Sequence, residues 1–161
     1  MNYFFINLKK QKIKLAIWDT SWQEIFRALP HKYFKNSDVI IIVFDLSISD
    51  IILDKSLFDV VKRDSETNEN IIYLVGIQLD ITKGYIEEHR KQEKILLDSS
   101  LIDKYFEVSS KTGEGFEQFY KILRIDVANN IGYRTDKNLY YFQMEQAFHR
   151  SHFPQLKKPY I

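Results

Sequence analysis

Chemistry in this chain would gather where strands end in acidic residues. The segment KLAIWDTSWQE, residues 14–24, reads as a buried strand closing on Asp19, and VIIIVFDL, residues 39–46, closes in the same way on Asp45. A carboxylate at a strand end beside a polar turn suits a phosphate or a metal, and such turns favour glycine where the backbone must approach a ligand closely. Here the bulky Trp22 stands in that turn, followed by Gln23. The competing reading is local: Asp at a strand end caps its own turn, and Asp80 ahead of Thr82 admits the same interpretation. His149 and His152 lie three apart without a third ligand, which falls short of a metal site. His31 and His89 have no matching partner and are assigned no chemistry.

The elements that position these residues alternate. Tyr3, Phe5 and Leu8, a polar KKQK turn, then Ile13, Leu15 and Ile17 predict a hairpin. VIIIVFDL, IIYLVGI (71–77) and YFEVSS (105–110) are strands, the first two apolar and β-branched enough for parallel strands covered on both faces. Helical spacing runs over 50–64, over 86–98 and over 114–128, the last with Phe116, Phe119, Tyr120, Leu123 and Val127 on one stripe behind a KTGEG turn. Strand and helix in alternation predict an α/β fold, an open parallel sheet with helices on both faces.

Composition bounds the rest. The 161 residues suit one domain plus a tail, and a net charge of +1 argues for no nucleic acid and no anionic membrane. Cysteine does not occur in the sequence, which removes disulfides, thiolate metal sites and a C-terminal prenylation signal. No apolar run approaches the roughly 18 residues of a membrane span, and the N-terminus does not read as a secretory signal. The expectation is a soluble, intracellular protein with no membrane anchor. The division is a domain over 1–131 and an aromatic-rich tail over 132–161, with a helix from about 136 to 150 and then extended chain through Pro154 and Pro159. On that helix Tyr140, Met144 and Phe148 share one side and predict a contact with the sheet or a partner.

In this order the residues resemble the Rab branch of the Ras-like small GTPases, from Phe5 to about Ile131. Leu15 to Glu24 is similar to the family's LxIWDTAGQE, Val43 to Ser47 to its VYDVT, Leu74 to Asp80 to LVGNKxDL, and Glu107 to Gly113 to ETSAKTG. The resemblance implies a P-loop NTPase-like sheet and assigns Asp80, Ser109, Ser110 and Lys111 to the guanine site. It assigns Asp19 and Trp22 to the phosphate site and Gln23 to the position that orients the attacking water. The departures fall on the chemistry. No GxxxxGK segment occurs in the sequence, the motif whose backbone N–H groups and lysine hold the phosphates. Trp22 replaces a phosphate-contacting glycine, and Ile77 and Gln78 replace the Asn and Lys of the base-reading motif. Ile6 to Trp18 matches the family's second and third strands, so the first strand, P-loop, first helix and switch I are missing from the pattern.

The resemblance therefore implies a non-catalytic, pseudo-GTPase reading: no catalytic residue, no cofactor and no metal expected, Trp22 closing the vacated pocket or meeting a partner, and other protein subunits as partners. The alternative is a GTP/GDP switch in vesicle transport, with GTP, GDP and Mg bound by a P-loop outside this sequence or on another chain. A missing central strand also poses a structural demand, because its two neighbours would be left with unpaired backbone groups. Direct pairing of the neighbours, a strand from the tail, or a strand from another polypeptide would meet it.

Overall fold

The computed structural model describes residues 2–8, 11–19, 34, 37–48, 55–64, 70–82, 84–131 and 139–146. In chain order its elements are β1 (Asn2–Leu8), β2 (Gln11–Asp19), β3 (Val39–Asp45), α1 (Lys55–Asp64), β4 (Ile71–Ile77), a single 3-10 turn (Leu79–Ile81), α2 (Ile86–Asp98), β5 (Lys104–Glu107), α3 (Phe116–Ile131) and β6 (Leu139–Gln146). The strands form one six-stranded open sheet in the order β1-β2-β6-β3-β4-β5. The β1–β2 hairpin is antiparallel, and every other neighbouring pair is parallel.

The residues of β3 and β4 explain their place in the middle. VIIIVFD and IIYLVGI are continuous apolar runs, and nearly every position in them is buried, as a strand covered on both faces requires. Alternation splits β3 between two cores. Val39, Ile41 and Val43 pack with Phe119, Leu123 and Val127 of α3. Ile40, Ile42 and Phe44 pack with Phe58 and Val61 of α1 and Leu96 of α2. The helices thus cover both faces, in agreement with the expected α/β class. α2 spans the residues its charge pattern predicts, presents Glu87 and Glu88 to its N-terminal dipole, and buries His89 and Leu96 on one stripe, two turns apart. It stops in a Schellman motif: Ser100 adopts φ 54°, and the N–H groups of Ser100 and Leu101 donate to Leu97 and Leu96.

The tail corrects an expectation. Residues 139–146, expected inside a helix from about 136 to 150, form strand β6, which pairs Lys14–Asp19 on one side and Val39–Val43 on the other. Residues 139–146 of the chain's own tail therefore fill the gap between β2 and β3. The reason is energetic: the facing edges of β2 and β3 carry rows of N–H and C=O groups that a helix docked on the face would leave unpaired. Among the described residues no helix is long and apolar enough to cross a membrane.

α3 is fastened by a polar cluster at the core's edge. The Tyr73 hydroxyl and the Lys104 ammonium both donate to the Asp126 carboxylate, joining β4, β5 and α3. Burial, followed by the Asp126 carboxylate, pushes the Tyr73 hydroxyl well above its ordinary range.

Candidate functional site

Because β2, β6, β3, β4 and β5 run parallel, their C-terminal ends share one edge of the sheet, where open α/β sheets bind ligands. Three described segments lie there, after β3, β4 and β5.

After β3 the Asp45 carboxylate serves its own turn. Oδ1 accepts from the Ser47 N–H at 2.8 Å and the Ser47 hydroxyl at 2.7 Å, which is the turn-capping arrangement. The next contact ties this turn to the end of β4: Leu46 N–H donates to Ile77 at 3.0 Å. Leu46, fully buried, fills the space a side chain on Gly76 would need; a Cβ there would lie 2.6 Å from the Leu46 side chain.

After β4, Gln78 holds a left-handed conformation, φ 63° and ψ 36°, uncommon for a residue with a side chain. This bend turns the chain into the 3-10 turn that carries Asp80. Thr82 Oγ1 donates back to the Gln78 carbonyl at 3.2 Å, and the Leu79 N–H donates to Val108 at 3.2 Å.

After β5 the chain forms a closed loop around Ser109, which is fully buried. Its N–H donates to the Glu114 carbonyl at 3.0 Å, its carbonyl accepts from Gly113 at 2.9 Å, and its Oγ accepts from the Thr112 N–H at 3.2 Å. The same Oγ donates to Asp80 Oδ1 at 2.6 Å. Gly115 is required where the loop turns into α3, since it sits at φ 80° and a Cβ would be 2.0 Å from the Glu107 carbonyl oxygen. Lys111, largely exposed, approaches the other carboxylate oxygen of Asp80 at 3.7 Å. The Ser109 hydrogen bond first, opposed by partial desolvation and aided by Lys111, holds the Asp80 carboxyl below its ordinary range. The result is an ionised acceptor fixed on a hydroxyl, with Oδ2 facing an exposed lysine. That geometry can receive the N–H edge of a planar polar group, and the long-range bond to Ser109 distinguishes Asp80 from a local turn cap.

The structure thus brings Asp80, Ser109, Ser110 and Lys111 to one corner. Asp19 ends β2 in register with Met144. Tyr140 and Met144, expected on a helix face, are instead in the central strand β6, in register with Leu15 and with both Asp19 and Ile41. Trp22, Gln23 and Phe148 lie outside the described residues, and so does the question of whether Trp22 closes a pocket. Among the described residues no group of three or more His, Asp or Glu side chains is arranged to hold a metal. Thr112, within the segment similar to ETSAKTG, and Glu114 close the Ser109 loop, a role the sequence does not assign them; the two glycines of KTGEG are the signal that marks the loop.

A separate cleft of about 310 Å³ opens between α2, β5 and α3, with Arg90, Tyr105 and Glu107 in its wall and none of the Asp80 corner. Arg90 engages Glu107 in a bidentate pair at 3.0 and 2.8 Å, and the Tyr105 hydroxyl donates to the same carboxylate at 3.0 Å. Arg90 and Glu107 are thereby occupied with one another, and Glu93 also lines the cleft.

A family model described as Ras family matches residues 3–129. The Ras-related protein Rab-36 of Mus musculus is 33% identical over 107 residues, covering 66% of this chain and 40% of its own. The Ras-related protein Rab-21 of Homo sapiens is 31% identical over 122 residues, 71% of this chain and 50% of its own. The Ras-related protein RabJ of Dictyostelium discoideum is 28% identical over 162 residues, 96% of this chain and 59% of its own. The chain spans about half the length of the curated relatives it matches.

Proposed function

The chain belongs to the Ras family, and on that premise we propose that it is a non-catalytic Rab-like protein, a structural or scaffolding subunit of a larger protein assembly. The observation that carries this reading is the position of β6. It pairs with both β2 and β3, where the family's pattern puts the strand that leads into the phosphate loop. The residues after β6 read AFHRSHF, not GxxxxGK. A phosphoryl-transfer site depends almost entirely on positioned backbone N–H groups, a lysine and magnesium, and no residue pattern in the sequence offers that set. The substitutions Trp22, Ile77 and Gln78 act in the same direction, and Gln78 spends its backbone on the left-handed bend that carries Asp80.

A second reading keeps the nucleotide. The Asp80–Ser109 pair at 2.6 Å is an ordered acceptor in the base-reading position, and it favours a switch acting in vesicle transport whose phosphate loop comes from a separate segment. Phosphate release separates the two. The 161-residue chain with GTP and magnesium is expected to release phosphate no faster than buffer; turnover lost in Gln23→Leu would establish catalysis by this chain.

A further inference from the structure

The cleft between α2, β5 and α3 lies apart from the Asp80 corner and holds a carboxylate that the neighbouring arginine leaves unused. Arg90 directs its guanidinium nitrogens to other acids: Nε and Nη2 donate to Glu107 at 3.0 and 2.8 Å, and Nη1 donates to Glu87 at 3.2 Å. Glu93 stands one turn further along α2 and lines the same cleft. Among the described residues it makes no hydrogen bond and no ion pair, although it is only partly exposed. Burial first, and then the Glu107 carboxylate, push the Glu93 carboxyl above its ordinary range. With Arg90 set against Glu93 and Glu107, the wall carries one negative charge in excess.

The acceptors left over define what fits. Glu107 Oε1 accepts from Arg90 and from the Tyr105 hydroxyl, whereas Oε2 accepts from Arg90 alone. A carboxylate oxygen has room for about two donors, so a place on Oε2 and both oxygens of Glu93 stay open. These acceptors belong to two different carboxylates. A compact ammonium, whose three donors rotate, can serve both, while the planar guanidinium fork matches a single carboxylate. A divalent cation suits the wall less well, because the Arg90 charge stands in it and no group of three or more His, Asp or Glu side chains among the described residues is arranged to hold a metal. Tyr105 and Phe106 supply aromatic surface along which an alkyl stem can lie. The volume of about 310 Å³ is at the lower end for ligand pockets and suits a single extended side chain.

We propose that this cleft is a binding site for a primary ammonium on an unbranched alkyl stem, with Glu93 as its principal anchor and Glu107 Oε2 as the second acceptor. The chemistry is that of a lysine side chain on a partner protein or of a free alkylamine. The site stands on the cleft alone and is independent of whether the chain binds nucleotide.

The test follows the glutamate carboxyl carbons of the whole isotope-labelled chain by NMR at neutral pH, with Glu93→Gln identifying the Glu93 signal. The probes are Nα-acetyl-lysine methylamide, cadaverine and the uncharged Nα-acetyl-norleucine methylamide. Both amines are expected to move the Glu93 signal with a Kd on the order of 1 mM, and the norleucine compound to leave it in place. Tighter binding of the lysine compound assigns the site to a partner protein, and tighter binding of cadaverine assigns it to a free amine. Glu93→Gln, read on the Glu107 signal, is expected to weaken binding about tenfold, the loss of one charge-assisted contact. Gln118→Lys, which tethers an ammonium to the cleft wall, is expected to abolish binding and serves as the second variant if the first does not fold. A Glu93 signal that neither amine moves, an equal response to the norleucine compound, or binding unchanged in either folded variant overturns the proposal.

Discussion

Phe142 pairs in register with Val39 on one side and Ile17 on the other, so a residue from the tail joins the hairpin to the parallel part of the sheet. Ending the chain after residue 132 removes that bridge and exposes two strand edges, a known route to aggregation. The truncated protein is expected to bind a hydrophobic dye and to sediment as aggregates. A soluble monomer with an unchanged melting temperature would show β6 to be dispensable. In the intact chain, hydrogen exchange should find the amides of 140–145 protected to nearly the same degree as those of β3, because both flanks of β6 are paired.

The tail shows what sequence periodicity leaves undecided. LYYFQMEQ carries Tyr140, Met144 and, further on, Phe148 at helical spacing, but Tyr140, Phe142 and Met144 also alternate as in a strand. A short apolar run satisfies both periods, and the deciding term is non-local: an open slot more than a hundred residues away in sequence. Elements decided by their own residues were legible, among them α2 over Ile86–Asp98 and β4 over Ile71–Ile77. Of the site, the Asp80–Ser109 corner was legible through the family resemblance. The left-handed Gln78 was not, because nothing in its residue type calls for that conformation.

Ser109 is expected to govern the ionisation of Asp80. With the folded value below the unfolded one, this carboxylate contributes stability above the unfolded value that is lost as pH falls through the folded value, below about pH 4. Ser109→Ala should move the Asp80 titration, followed by carbon NMR of the carboxyl, upward toward the ordinary carboxylate range. An unmoved titration would mean that Lys111 or the backbone sets it.

Asp126 ties Tyr73 and Lys104 to α3. Removing the one acceptor leaves a buried hydroxyl and an ammonium unpaired, so Asp126→Ala should cost about 3 kcal/mol in urea unfolding. Tyr73→Phe, which leaves the Lys104–Asp126 pair, should cost about 1 kcal/mol. Equal losses in the two variants would contradict the shared-acceptor account.

His89 is 1% exposed, meets Phe44 edge-on at 5.5 Å, and among the described residues has neither ring nitrogen hydrogen-bonded. Replacing an unsatisfied buried polar side chain by an apolar one of similar size relieves a penalty of about 1–3 kcal/mol, less any loss of packing. His89→Leu is therefore expected to raise the melting temperature. A clear fall would reveal that the imidazole has a partner or a role.

The proposed non-catalytic function requires that this Ras-family chain hold no nucleotide phosphate. Titrating the 161-residue chain into a fluorescent guanine nucleotide, with and without magnesium, tests it most directly. The account predicts no saturation with the chain at up to about 100 µM, because several charge-assisted contacts worth about 1.5–3 kcal/mol each are not available. Micromolar or tighter binding that requires magnesium would contradict it.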